Sequence, residues 1–305
     1  MRLLIKNGRV IDPASGTDDT LDILIDKGKF ADIKPKIEGD GLKVIDASRL
    51  VVAPGFIDMH VHLREPGQED KETIMTGASA AARGGFTSIA CMPNTAPVND
   101  TRGVTEYIIS EAKRNAVVNV FPIAAVTKGL CGEELTDMVD LKSAGAVAFS
   151  DDGYPIENSL VMRRALEYSK LLDTLIIDHC EDRNLSSDGI MHEGYYSYKL
   201  GIRGIPASSE EIMMARDIIL AKKTDAKVHI AHLSVKGAVE LLKQAKKENV
   251  KITAEVTPHH LFLNDAHLES FDTNLKVNPP LRSSEDVQAL LEAIRGGYID
   301  VFATD

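Results

Sequence analysis

The sequence predicts an α/β fold: a parallel (β/α)8 barrel of the TIM type, with a small β module at its N-terminal end. Three observations predict it. From residue 55 onward, short apolar runs rich in β-branched residues alternate with stretches of helical periodicity. Eight such runs alternate with seven helices, and eight is the number of parallel strands that closes into a barrel. Most of the histidines fall at or just past the ends of those runs, on the face where such barrels carry their chemistry. A doubly wound open sheet is the other fold this alternation allows, but no G-x-G-x-x-G follows the first strand.

Residues 1–52 read as a separate small β (sandwich-like) module. LLIKNGRVID and LDILIDKGKFADI are short β-type runs broken by Asn7-Gly8 and Lys27-Gly28, and both breaks suggest hairpin turns. Residues 53–305 carry the barrel. Its expected strands are 55–60, 87–92, 117–125, 146–150, 174–179, 227–232, 251–256 and 298–304. Its expected helices are 71–83, 102–114, 133–144, 158–172, 208–224, 235–248 and 284–296, with Asn158, Ser208 and Ser283 placed as N-caps. Gly84-Gly85 and Gly296-Gly297 read as helix C-caps.

The composition is ordinary for a globular protein: 305 residues, 44% hydrophobic and 27% charged, enough apolar mass for a sizeable core. No apolar run approaches the ~20 residues of a membrane helix. The first residues, MRLLIKNGRVIDP, lack the long apolar stretch of a signal peptide. Three scattered cysteines make no disulfide framework, so a reducing cytoplasm is the expected setting. A net charge of −11 argues against nucleic acid or an anionic membrane as partner.

The chemistry lies after the strands. GFIDMHVHLREPG puts His60 and His62 two apart at the end of a buried strand, on one face, followed by Arg64. The later strand ends offer Asn94 in CMPNT, Asp151 and Asp152 in FSDDG, His179 in IIDHC, His232 in IAHLS, His259 and His260 in TPHH, and Asp305 in FATD. Four imidazoles with one or two carboxylates suit a binuclear divalent centre, with zinc or another first-row metal as the ion. Metal binding lowers the pKa of water enough to give a hydroxide nucleophile at neutral pH. A second ion polarises the carbonyl under attack, and a free aspartate at the rim moves the proton.

PGFIDMHVHLREPG, MPNT, FSDDG, IDHCED, AHLS, TPHHL, NPPLR and FATD, in that order, resemble the dihydroorotase family of the bacterial zinc-dependent type, within the amidohydrolase superfamily. The resemblance runs along nearly the whole chain. It implies reversible hydrolysis of (S)-dihydroorotate to N-carbamoyl-L-aspartate in pyrimidine biosynthesis, with one or two Zn2+ per chain. His60 and His62 match ligands of a first metal, Asp152 a carboxylate shared by both, and His179 and His232 ligands of a second. Asp305 matches the general base and touches the first metal. Arg64 and Asn94 match the grip on the substrate carboxylate, a task suited to a guanidinium. Asn278 matches a contact to the ring, with His62 and Leu63 alongside.

The bland readings stand beside these. Asp151 is expected to help by hydrogen bonding, His259 and His260 to be polar structure at the mouth, Cys180 a core thiol, and His192 solvated or part of a lid. In the family the matching aspartate is followed by an eighth helix and the rest of the small domain. The resemblance therefore implies that this stretch is part of a longer chain and, alone, folds poorly or is inactive. The loss of several side chains worth ~1.5–3 kcal/mol each is large against a net stability of ~5–15 kcal/mol. Two alternatives stay open. A hydantoinase- or allantoinase-like cyclic amide hydrolase would bridge its metals with a carboxylated lysine, which AGAVAFSDDG lacks. A non-catalytic scaffold for aspartate transcarbamoylase would usually have lost ligands. A homodimer or a complex with the transcarbamoylase is compatible with the sequence, but no pattern demonstrates either.

Overall fold

A computed structural model describes residues 2–39 and 41–305, and the chain divides into two compact units, Met1–Phe56 and Ile57–Asp305. The expected boundary after residue 52 falls in the irregular stretch 53–55, just ahead of the first barrel strand.

The first unit is a mixed sheet of β1 (Arg2–Asp12), β2 (Thr17–Asp26), β3 (Lys29–Lys34), β4 (Lys43–Asp46) and β5 (Val51–Val52). β1 pairs antiparallel with β2, and parallel with β4 and β5. Lys27 and Gly28 both have positive φ and make the β2–β3 hairpin turn, as their residue types demand. Asn7-Gly8 is not a turn. It lies inside β1 as a bulge, with Asn7 at φ 61° and the register slipping between Ile5 and Gly8. Two contacts select the bulge. The Asn7 N–H donates to buried Asp22 (2.8 Å), and a Cβ on Gly8 would lie 2.6 Å from Val52 Cγ2.

The second unit is the barrel. Its strands are β6 (Phe56–Val61), β7 (Phe86–Cys91), β8 (Asn119–Ala124), β9 (Ala148–Ser150) and β10 (Ile176–Asp178). After a two-stranded ribbon, β11 (Met191–His192) with β12 (Gly204–Ile205), come β13 (Val228–Ile230), β14 (Ile252–Val256) and β15 (Val301–Phe302). The eight barrel strands follow one another in sheet order, and β7 with β8, β8 with β9, β9 with β10, β10 with β13, β13 with β14 and β14 with β15 pair in parallel. The helices are α1 (Ile74–Arg83), α2 (Arg102–Asn115), α3 (Met138–Ala144), α4 (Ser159–Leu171), α5 (Arg183–Ser186), α6 (Tyr195–Leu200), α7 (Ser208–Thr224), α8 (Lys236–Lys247), α9 (Pro258–Phe262) and α10 (Ser284–Arg295). The seven longest fall where periodicity places them, except that α3 begins at Met138 rather than at 133, because Leu135 instead bridges Thr127. The short α5, α6 and α9, and the ribbon, are too brief to show a period.

Asn158 caps α4 through its side chain, and Ser283 forms a capping box with Asp286. Ser208 does not cap α7; it is the first helical residue. The next N–H groups already have backbone partners, Ser209 on the Pro206 carbonyl and Glu210 on that of Ala207, which leaves a hydroxyl cap no donor to satisfy there.

Strand parity sorts the side chains. On β13 and β14, Val228, Ile230, Ile252, Ala254 and Val256 join the large cluster beneath the helices. Their neighbours His229, Thr253 and Glu255 point the other way and bond one another. The seam between β15 and β6 is joined at the mouth. The Asp305 N–H donates to the His60 carbonyl (3.0 Å), and Thr304 donates through its hydroxyl (2.7 Å) and N–H (3.3 Å) to buried Asp58.

Candidate metal centre

A cavity of about 700 Å3 runs from beside the end of α1, at Ala80, Gly84 and Phe86, to the C-terminal ends of the strands, where His62, Arg64, Asn94, Asp152, His179 and Asp305 line it. Each polar lining group follows a strand, because only there does the backbone leave the sheet and turn its side chains across the opening. His60 and His62 share one face of β6 and its extension, as a two-residue spacing requires. His232 reaches the site through a backbone with φ 31°, unusual for a residue with a Cβ.

The four imidazoles converge on Asp152. His60 Nε2 is 3.4 Å from its Oδ1, His62 Nε2 3.4 Å from Oδ2 and His232 Nε2 3.7 Å from Oδ1, and His179 Nδ1 is 2.8 Å from His232 Nε2. Asp305 Oδ1 lies 3.3 Å from His60 Nε2 and 2.9 Å from His62 Nε2. A tetrahedral ion with bonds of about 2.1 Å spaces its donor atoms roughly 3.4 Å apart, so most of these separations match one coordination edge. The donor sets overlap: His60, His62 and Asp152; Asp152, His179 and His232; His60, His232 and Asp305. Asp152, His60 and His232 each belong to two of them, and of these only Asp152 is a carboxylate with two oxygens to share. His60 Nε2 and Asp152 Oδ1 are buried with no hydrogen-bond partner among the described residues, which is costly unless a cation lies between them. The residues present therefore fit a pair of divalent ions.

The electrostatics agree. Burial works against charge on Asp152, yet His60, His232 and His62 hold its carboxyl well below the ordinary range. Burial likewise opposes ionisation of Asp305, and His62, His60 and His232 overcome it and hold the carboxyl well below the ordinary range. Asp151 bonds the N–H groups of Val126 (2.8 Å) and Thr127 (3.0 Å) and the Thr127 hydroxyl. Burial pushes it up to about 6.

The expected substrate contacts are assembled on the same rim. Arg64 (φ 60°) and Asn94 come together because two loops touch: the Ala96 N–H donates to the Pro66 carbonyl (2.9 Å), and a Cβ on Gly67 (φ 90°) would collide with the Ala96 carbonyl at 1.7 Å. Asn94 Oδ1 accepts from His62 Nδ1 at 3.0 Å, so its acceptor orients a histidine and its amide donors face the cavity. Leu63 is buried in a core cluster with Ile74 and Ile89, leaving only its backbone for a substrate. Asn278 Nδ2 donates to Glu181 (3.1 Å) and sits 3.5 Å from His179 Nε2. His259 lines the cavity, while buried His260 holds the Pro279 carbonyl (2.9 Å). His192 is half-buried with Nδ1 3.5 Å from Arg282 Nη1, and it does not line the cavity; the expectation of a solvated or lid residue is replaced by a packed one.

Several residues at the site escape a motif reading. Glu181 accepts from His179 Nε2 (2.8 Å), turning Nδ1 inward; burial opposes its charge, but His179, Ser186 and Asn278 bring it down to about 2. Glu255 accepts from His60 Nδ1 at 2.6 Å. Arg282 is buried, bonds Ser234 Oγ (3.0 Å) and the Ile205 carbonyl (3.0 Å), and pairs with Glu210 (3.5 Å), tying the loop after His232 to the loop of Asn278. One signal was available for Glu255: a lone acid inside an otherwise apolar parallel strand must have a partner.

Imidazoles and carboxylates gathered at one end of a parallel barrel are the working parts of a metal-dependent amidohydrolase, and fold and site together place the chain in that class. Residues 48–238 match the family model described as dihydro-orotase-like. The chain is 55% identical over its full length to the dihydroorotase of Pelotomaculum thermopropionicum and 54% identical to that of Caldanaerobacter subterraneus, spanning 71% and 70% of their lengths. Among solved structures, L-hydantoinase (dihydropyrimidinase) from Arthrobacter aurescens superposes with a TM-score of 0.86 at 23% identity, covering 99% of this chain and 68% of that one; this likeness concerns the fold. D-hydantoinase from a Thermus species gives 0.80 at 27% identity over the same shares. The chain belongs to the dihydroorotase-like family.

Proposed function

We propose that the chain catalyses the reversible hydrolysis of dihydroorotate to N-carbamoyl-L-aspartate, with zinc as its metal, as a cytoplasmic enzyme of pyrimidine synthesis. The observation that carries this reading is Asp152: a direct carboxylate stands at the centre of four imidazoles, with no lysine on that strand to be carboxylated. No helix among the described residues is long and apolar enough to cross a membrane, which agrees with that setting.

His60, His62, Asp152, His179 and His232 would hold the ions, with Asp305 touching the first. Bound there, the metals supply Lewis acidity at the amide carbonyl and acidify a water molecule. The other steps fall to side chains. Arg64 and the Asn94 amide grip the substrate carboxylate, and Asn278 meets the ring. Asp305, ionised at the rim, takes the proton of the attacking water as the C–O bond forms. It returns that proton to the ring nitrogen as the C–N bond breaks, which yields a free ureido group and a carboxylic acid; the acid loses its own proton to solvent and leaves as the carboxylate. The reverse reaction uses the same aspartate as the acid that protonates departing water.

Turnover of dihydroorotate, hydantoin and allantoin by the purified chain, alone and with added transcarbamoylase, tests the reading. Zinc-dependent turnover of dihydroorotate above the other two is expected. Preference for hydantoin or allantoin, or a metal-free chain that binds the transcarbamoylase, overturns it. A homodimer is proposed on the same footing, with mass measured in solution as its check.

A further inference from the structure

Glu255 lies on β14 with its side chain turned into the barrel, fully buried. Its Oε1 accepts from His60 Nδ1 at 2.6 Å and from the backbone N–H of His232 at 3.2 Å. Its Oε2 meets His229 Nε2 at 3.1 Å, and His229 Nδ1 meets Thr253 Oγ1 at 2.7 Å. His229 is as buried as Glu255, and neither lines the cavity. One carboxylate thus contacts residues from both halves of the proposed centre: the ring of His60 and the strained backbone of His232 (φ 31°).

We propose that Glu255 and His229 are a positioning pair that sets the aim of both metal positions at once. This rests on the binuclear reading above. The reasoning is geometric. A carboxylate on Nδ1 demands a proton there, so His60 carries its lone pair on Nε2, the atom that faces Asp152 and Asp305 without a hydrogen bond. The bond to the His232 N–H holds a backbone conformation that a residue with a Cβ otherwise avoids, and that conformation turns the imidazole into the site. A carboxylate that serves both partners through one oxygen, Oε1, needs its orientation fixed at the other. His229, backed by Thr253, fixes it. Glu255 is therefore unlike Asn94 or Glu181, each of which orients a single imidazole.

The test compares the parent chain with Glu255→Gln and His229→Gln, using Zn2+ in competition with a chromogenic chelator and Co2+ absorption as a probe of coordination. Far-UV circular dichroism and the urea midpoint report folding. For folded Glu255→Gln, zinc affinity is expected to fall 10–100-fold, with both ions weakened and the Co2+ spectrum altered, while KM for dihydroorotate at saturating zinc stays near the parent value. For His229→Gln, which leaves the His60 contact in place, a measurable but smaller fall is expected, about threefold to tenfold. Folded Glu255→Gln with parental zinc affinity and spectrum overturns the proposal. If that variant does not fold, parental affinity in His229→Gln overturns it. A parent that binds no zinc instead refutes the binuclear reading itself.

Discussion

Two clusters in the barrel draw on the same kinds of side chain and come to opposite ends. One is the centre around Asp152. The other, Asp178, Cys180 and Asp217, also brings three residues able to ligate a metal together, all buried. They are separated by a single step of strand parity, since His179 points into the site while its neighbours Asp178 and Cys180 point toward α7. The second cluster already has its cation. Arg216 bonds Asp217 (Nε to Oδ1, 2.8 Å) and Asp178 (3.3 Å). Burial and the nearby Asp217 carboxylate raise Asp178 well above the ordinary carboxyl range, and burial raises the Cys180 thiol, which disfavours the charged forms that would ligate a metal. Around Asp152 no guanidinium enters, and two polar atoms are left facing each other. Donor types do not define a metal site; the absence of a built-in counter-charge does.

The comparison can be broken at its centre. Asp152→Asn keeps the shape and removes the shared charge, so zinc content should fall and kcat should drop roughly 10^3-fold; elemental analysis and a dihydroorotate assay check both. On the other side, Arg216→Met should cost about 3–5 kcal/mol of stability by leaving buried acids without their cation. The surviving folded protein should keep its zinc, and urea unfolding with metal analysis reads the two separately. A chain that loses zinc with Arg216 would erase the distinction.

Which parts of this were legible in the sequence follows from which residues stand alone. His60 and His62 announce themselves by spacing, and strand-end histidines do so by position. Asp178 and Glu255 look alike in a row of apolar letters, yet one faces a helix and the other the ring of His60; parity is clear only once the strand register is known. Asn7-Gly8 carries a turn signal, but a buried aspartate fifteen residues away takes the Asn7 N–H and makes it a bulge. Ser208 has a cap residue's identity, but preceding carbonyls had already satisfied its donors. In each case a partner distant in sequence, or the backbone itself, decided between two locally equal outcomes.

Smaller effects sharpen the contrast between the site and its supports. Burial, with neighbouring His259, pushes buried His260 from 6.5 down to about 3. A group depressed on folding stabilises the protein above its unfolded pKa and loses that contribution as pH falls toward the folded value. Stability should therefore decline by about 2 kcal/mol between pH 7 and pH 5 on this account. His260→Gln should flatten that decline in urea titrations run with chelator present throughout. Ser283→Ala, which removes the capping box of α10, should cost about 1 kcal/mol and leave zinc binding untouched.

The join between β15 and β6 has a consequence for how catalytic competence arises. The peptide N–H that fastens the last strand belongs to Asp305, and the carbonyl that receives it belongs to His60. A chain in which β15 has not yet docked would already hold its imidazoles and Asp152, yet on the proposed mechanism would lack the group that carries the proton. Zipping up the cylinder and arming it are one event.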